Sequence, residues 1–388
     1  MTNRIFSRPI EKNSGADSLR LGLRQNLDPE TTILTSYTYS DLTDNAADVA
    51  SDAVLAGEEK GHFLELRAIK KSTLGVLNFG LGYQGITEAL SIAISGVPLV
   101  NSHERADHYS AYVYGSNRPI SQLSVEAGVS LDVLNDVRFN KHQTNPKLGI
   151  AWYPTSETTI RAAAARTFKR RILSSQTLEP TTVAGFNQFF DDFTATDARL
   201  FGLAIDQEIA KAHHVGALFE QRNLKLPSEI ISAPGFARST DWTERWAQGY
   251  VFSSLSSHLA LIAKYQYEEF IRDELATNSE ALARSQTHRV PVEIRAFGSG
   301  GIFSRLRFSY IRQSGQFANF ATGSVESGSD EFTVWDAAVG LRFPQRQGTF
   351  LLEVRNMFDK KFSFQDTRPS EPTISPRRLV FGKIVLWF

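Results

Sequence analysis

The sequence predicts an all-β chain: a transmembrane antiparallel up-and-down β-barrel of about 16–18 strands, with short periplasmic turns and long extracellular loops. Three observations predict it. Long segments alternate apolar and hydrophilic residues with a period of two, which puts successive side chains on opposite faces of a sheet. Short turns and long polar loops follow one another between those segments. The chain ends on such an alternating strand, closed by an aromatic residue, Phe388.

In the terminal strand, Phe388, Leu386, Ile384, Gly382 and Val380 share one face, while Trp387, Val385, Lys383, Phe381 and Leu379 share the other. A membrane-crossing strand needs about 9–11 residues. This tail resembles the closing strand of bacterial outer-membrane barrels, so Phe388, Leu386 and Ile384 are expected to form the barrel assembly signal. The same alternation recurs upstream. Leu19, Leu21 and Leu23 alternate with Arg20, Gly22 and Arg24; Leu123, Val125, Ala127, Val129 and Leu131 with Ser124, Glu126, Gly128, Ser130 and Asp132; and Leu306, Phe308 and Tyr310 with Arg305, Arg307 and Ser309.

Seventeen such segments are expected, near 17–26, 31–41, 60–71, 73–84, 104–116, 121–134, 146–153, 157–168, 197–208, 211–222, 243–254, 257–271, 285–297, 301–313, 330–343, 348–357 and 377–388. Residues 3–10 are a candidate for an eighteenth. Short turns are expected at 28–30, 153–156, 298–301 and 344–347, and long loops near 42–59, 85–103, 135–145, 169–196, 223–242, 272–284, 314–329 and 358–376. Long loops after every second strand are foreign to compact soluble domains, whose connections have a median of about 4–6 residues. Trp152, Tyr153, Trp246, Tyr250, Trp387 and Phe388 fall near expected strand ends, where a headgroup-level girdle forms.

Composition narrows the class. Among 388 residues, 42 basic and 42 acidic side chains cancel, so bulk charge favours no nucleic-acid partner. There is no cysteine, which removes disulfides and thiolate metal sites. No apolar run reaches the roughly 18 residues of a transmembrane helix. The N-terminus lacks the apolar core of a secretory signal. The expectation is one outer-membrane barrel domain over residues 1–388, the C-terminal part of a longer precursor.

Two stretches carry a family resemblance. Residues 145–154 (Asn-Pro-Lys-Leu-Gly-Ile-Ala-Trp-Tyr-Pro), followed by 159–168, are similar to a hairpin of TonB-dependent outer-membrane receptors. Residues 353–362 (Glu-Val-Arg-Asn-Met-Phe-Asp-Lys-Lys-Phe) are similar to the stretch before that family's last strand. The resemblance implies a transport barrel. Such receptors also have an N-terminal plug, a motif for the energising protein and twenty-two strands, none of which is recognisable here. Residues 175–192 resemble a loop of export barrels fused behind tetratricopeptide repeats, although no such repeat is present in the chain.

Other motifs have structural readings beside the chemical ones. Gly80, Gly82 and Gly85 match G-x-G-x-x-G, but a dinucleotide site needs that run between a strand and a helix, and glycines in strands also relieve crowding. His213 and His214 are adjacent, so on a strand they point to opposite faces. Ser256 and His258 share a face near a turn, as a hydrolytic pair would. No catalytic, cofactor-binding or metal-ligating residue is assigned, no cofactor is expected and the chain is not read as an enzyme. The residues expected to line the lumen are Arg20, Arg24, Glu126, Asp132, Arg161, Lys264, Arg305, Arg307, Glu353 and Arg355. They either guide anionic solutes or pair with one another across strands. Transport across the outer membrane of a Gram-negative bacterium is the leading function. An export barrel, a barrel-embedded hydrolase and an adhesive surface protein stay open beside it. Expected partners are membrane lipid, the barrel assembly machinery and a periplasmic partner or upstream domain.

Overall fold

The computed structural model describes residues 10–48, 52–137, 140–170, 177–188, 190, 192–228, 238–272, 282–319, 324–364 and 374–387. The strands are β1 Ile10–Asn26, β2 Thr31–Asp48, β3 Ala53–Ser72, β4 Gly75–Ile94, β5 Val97–Ile120, β6 Leu123–Asp136, β7 Asn140–Trp152 and β8 Thr158–Phe168. After two short strands, β9 Thr182–Val183 and β10 Phe186–Asn187, the series continues as β11 Asp197–Ala210, β12 His213–Ser228, β13 Arg238–Ser256, β14 Leu259–Arg272 and β15 Leu282–Phe297. It ends with β16 Ile302–Asn319, β17 Ser324–Arg342, β18 Gly348–Arg355 and β19 Leu379–Leu386.

All but β9 and β10 belong to one 17-stranded antiparallel sheet. Each strand pairs with the next, and β8 pairs with β11 across the long connection. Each of the seventeen expected segments overlaps one of these strands. The eighteenth, at 3–10, lies outside the described residues except for Ile10. Among the described residues no register joins β19 to β1, so these two strands border the sheet.

The register sorts side chains by face. Leu21 lies opposite Tyr37, Leu64 opposite Tyr83, Ala127 opposite Leu148, and Ile294 opposite Leu306. This face leaves Leu19, Leu21, Leu23, Phe79, Leu81, Leu203, Ile205 and Ile384 exposed, as a lipid-facing wall requires. The other face holds the buried polar set, including Ser40, Glu65, Gln84, Asp132, Asn145 and Glu293. Trp246 and Tyr250 fall on this inner face, and the Tyr250 hydroxyl bonds Asp206, so neither belongs to an outer girdle.

The rim where β19 ends has short connections, such as Thr73-Leu74, Ser121-Gln122 and Lys211-Ala212. On the opposite rim, strand replaces much of the expected loop: β6 and β7 run into 135–145, β12 and β13 into 223–242, and β16 and β17 into 314–329. Two further loops are almost wholly strand. β2 and β3 continue through most of 42–59, and β4 and β5 meet at Ser95-Gly96 within 85–103. Those two residues have φ of 50° and 75°, the left-handed pair of a type I′ hairpin turn. The reason is solvent. β3 and β4 are 20 residues long and β5 is 24, about twice what crossing hydrocarbon needs. Beyond the membrane both faces meet water, so Asp41, Glu59, Thr87 and Arg105 are polar without being loop.

Leu81 stands exposed in the apolar band. Leu81→Arg is expected to cost about 2–4 kcal/mol of membrane-inserted stability, and Leu81→Ile less than about 1.5 kcal/mol. Equilibrium unfolding from lipid vesicles measures both.

Candidate functional site

The register puts all ten candidate lumen residues on the inner face, but they fall into three groups. Arg20 and Arg24 lie on border strand β1, where Arg20 Nε donates to Thr38 Oγ1 at 3.2 Å. Glu126, Asp132 and Arg161 meet the connection between β8 and β11. Lys264, Arg305, Arg307, Glu353 and Arg355 line one cavity on the other part of the wall.

The 169–196 connection was expected as an extracellular loop. Its described part turns inward instead and packs on the inner wall. β9 and β10 form a small hairpin around Ala184-Gly185, whose φ of 47° and 82° again make a tight left-handed turn. Two wall glycines make its seat. A Cβ on Gly149 would lie 2.7 Å from Val183 Cγ1 and 2.8 Å from the Ala184 Cβ, and one on Gly202 would overlap the Phe186 ring. Phe186, Val183 and Ala184 are buried there with Ala163, Ala165, Leu200 and Ala204. Polar bonds fix the tip. The Ala184 N–H donates to Glu126 Oε2 at 2.8 Å, and Arg161 donates to the Ala184 carbonyl at 3.3 Å while pairing with Asp206 at 2.9 Å.

The start of this connection is tied by a buried charge knot. Glu179 accepts from Arg170, from the Tyr114 hydroxyl and from Lys147, the last at 3.1 Å. Arg170 Nε reaches Asp132 at 3.0 Å, and Asp132 also takes His108 Nε2 at 3.0 Å and Asn145 Nδ2 at 2.6 Å. Glu65 accepts from the Thr177 hydroxyl at 2.5 Å and the Leu178 N–H at 2.9 Å, and Arg67 donates to the Leu178 carbonyl at 2.9 Å. Asp132 is therefore sealed beneath the connection and does not face open water. Burial by itself pushes the Glu179 carboxyl up, but the Arg170 guanidinium and the Lys147 ammonium outweigh it and hold the group below the usual carboxylate range.

The wall from β13 to β18 is different. It bounds a cavity of about 660 Å³ lined by Lys264, Arg289, Arg295, Arg305, Arg307 and Arg355, against Glu293, Asp336 and Glu353. The described part of 358–376, also expected as an extracellular loop, turns inward here too. Phe362, Phe364 and Ile374 pack on Ile311, Phe332 and Val334, and Ile374 and Ser375 line the edge of the cavity. Glu353 bridges Arg305 at 2.9 Å and Arg355 at 2.7 Å, and Glu293 bridges Arg307 at 2.9 Å and Arg295 at 2.5 Å. Both carboxylates are buried and the arginines are part-exposed, so the surface offered to a solute is cationic. Glu293 and Arg295 were missed by sequence reasoning, although they alternate with Val292 and Ile294 inside an expected strand.

The remaining motifs take structural roles. Gly80, Gly82 and Gly85 lie within β4, where a Cβ on Gly80 would overlap the Tyr112 ring. His213 bonds Ser253 Oγ at 2.6 Å from a strand start. The His258 ring bonds Ser257, not Ser256, at 2.8 Å. Ile384 and Leu386 are exposed on the outer face of β19, and Phe388 lies outside the described residues.

The family model described as "TonB dependent receptor-like, beta-barrel" matches residues 2–357. The chain belongs to that family. Solved structures of similar fold include the ferric-catecholate import receptor Fiu of E. coli K12, at 11% identity and TM-score 0.64, covering 90% of this chain and 61% of that one. Pyoverdine-bound FpvA of P. aeruginosa is similar at 10% identity and TM-score 0.66, covering 95% and 55%. The copper transporter OprC is similar at 10% identity and TM-score 0.68, covering 97% and 66%. No curated protein sequence matches the chain. This chain spans about three-fifths of the length of such receptors. As a TonB-dependent-receptor-like barrel it is a protein of the Gram-negative outer membrane.

In this receptor-like barrel, Glu179→Gln removes the carboxylate that Arg170 and Lys147 share and leaves both cations buried against the single charge of Asp132. The expected loss is about 3 kcal/mol or more of docking stability for the connection. Gly149→Val should dislodge the same hairpin by steric overlap, at about 1–3 kcal/mol. Amide exchange at residues 177–188 reads both, with faster exchange expected there and none in β14–β17.

Proposed function

We propose that this barrel moves an anionic solute, of the metal-chelate class, across the outer membrane along the β13–β18 wall. One observation carries the reading. The inward 169–196 connection, in its described part, occupies the wall contributed by β3, β5–β8, β11 and β12. The β13–β18 wall, with Phe362, Phe364 and Ile374 packed on part of it, presents six cationic side chains to its cavity against three carboxylates. A concave surface with excess positive charge concentrates anions and lowers their barrier to passage. Fiu, FpvA and OprC handle ferric catecholate, ferric pyoverdine and copper. Ferric chelates built on catecholate or carboxylate groups carry net negative charge, which suits these arginines. On this reading the ten inner charges divide their work: Glu126, Asp132 and Arg161 hold the connection, and Lys264, Arg305, Arg307, Glu353 and Arg355 face the solute. Arg20 and Arg24 continue the inner wall at its border. The C-terminal signal, Ile384 and Leu386 on the outer face of β19 together with the terminal Phe388, meets the assembly machinery, and a periplasmic partner supplies energy.

The test is uptake of radiolabelled ferric and cupric chelates by cells carrying the full-length protein. Arg305→Gln/Arg307→Gln is expected to slow uptake of an anionic chelate about tenfold, the equivalent of about 1.4 kcal/mol, at unchanged surface abundance. Equal uptake by the double variant, or equal passage of neutral and anionic complexes, overturns the reading.

A further inference from the structure

The outer face of β13–β16 carries a charged cluster that the transport path does not use. Glu269 on β14 is the centre. Its two oxygens take Arg245 at 2.8 Å and Arg284 at 3.0 Å, and Gln286 donates to it at 2.9 Å. Arg245 Nε also donates to Gln221 at 3.1 Å. These residues form cross-strand pairs from β12 to β15, on the same face as Val251, Ile294 and Leu306, which is the lipid side. Glu269 is nearly buried, with 6% of its side chain exposed, whereas Arg245 and Arg284 keep 39% and 52%. The carboxylate thus fixes two guanidiniums and leaves part of each open. Arg312, across from His288, is a third exposed guanidinium, with Glu331 opposite it.

Height decides what meets this cluster. Glu269 lies ten residues above Leu259, where β14 leaves its short turn. At a rise of roughly 3.4 Å per residue and a tilt of about 45°, that is roughly 24 Å, against an apolar band about 25 Å tall. One pair lower come Tyr267 and His288, whose rings are 5.1 Å apart, with Tyr265 bonded to His288 Nδ1 at 2.8 Å. Amphipathic rings of this kind sit at headgroup level. The guanidiniums therefore stand at the outer edge of the hydrocarbon, facing lipid.

We propose that Arg245, Arg284 and Arg312 bind the phosphate of an outer-leaflet lipid with a phosphorylated saccharide headgroup. Guanidinium forks match phosphate oxygens two at a time, and the amides of Gln221, Asn223 and Gln286 offer donors and acceptors to sugar hydroxyls beside it. The matching band of β2–β5 has no such surplus. There Arg105 is spent on Asp107, at 3.1 Å through Nε, and Lys60 pairs with Glu58 and, at 3.7 Å, with Asp41. The proposal rests on the outer-membrane assignment and is independent of the solute carried inside.

The test uses the full chain in detergent micelles, with bis-phosphorylated lipid A, the same glycolipid with its phosphates removed, and inorganic phosphate as probes. Wild type should bind the phosphorylated lipid at least about tenfold more tightly than the dephosphorylated one. Arg245→Gln/Arg284→Gln should remove that preference, Lys60→Gln should leave it, and inorganic phosphate at equal concentration should not compete. Arg284→Gln alone changes one half-exposed side chain, and a roughly threefold or larger loss is expected from it if the double variant does not fold. Equal binding of the two glycolipids overturns the proposal, as does unchanged affinity in a folded Arg284→Gln variant. Full displacement by inorganic phosphate does so too, since the site would then take a free anion.

Discussion

In hydrocarbon, every backbone N–H and C=O needs a partner within the protein, because no water is present to supply one. An antiparallel ladder meets that demand on both sides of every wall strand between β1 and β19, and the rest of the molecule follows from it. Once each strand is bonded to its neighbour, side chains must alternate between lipid and interior. A charge placed inward then has another inward residue directly across the next strand. Pairs such as Arg307 with Glu293 follow from this register without any special folding of the wall.

The interior uses charge in two ways. Around Glu179, ions are stripped of water, which costs several kcal/mol each unless opposite charges and hydrogen bonds surround them. The geometry that satisfies Glu179, Arg170, Lys147 and Asp132 together admits one placement of the connection. On the β13–β18 wall the arginines keep contact with solvent, so the same residue types remain available to something passing by. Burial therefore separates a positioning role from a binding one.

Much of this was legible in the sequence. Period-two alternation located the seventeen strands and the faces of Arg305 and Glu353, because register fixes face. It did not locate the turn at Ser95-Gly96, since strands outside the membrane lose their apolar face and look like loop. Nor did it show that the described part of 169–196 folds inward. That segment has no periodicity, and its hold on the wall depends on contacts such as Thr177 with Glu65, more than a hundred residues away in sequence. The wall glycines were visible only as residues that lighten a strand. Their purpose appears when Val183 and Phe186 are seen occupying the space that side chains would fill.

That seat makes the connection and the strands behind it a single inherited unit. Grafting residues 177–188 onto another barrel would present Val183 and Phe186 to a wall whose side chains already occupy the space above positions 149 and 202. A transplant that succeeds must carry the bare backbone of β7 and β11 along with the insert. Recombination between such barrels should therefore be tolerated at the tight outer turns and refused between β7 and β11.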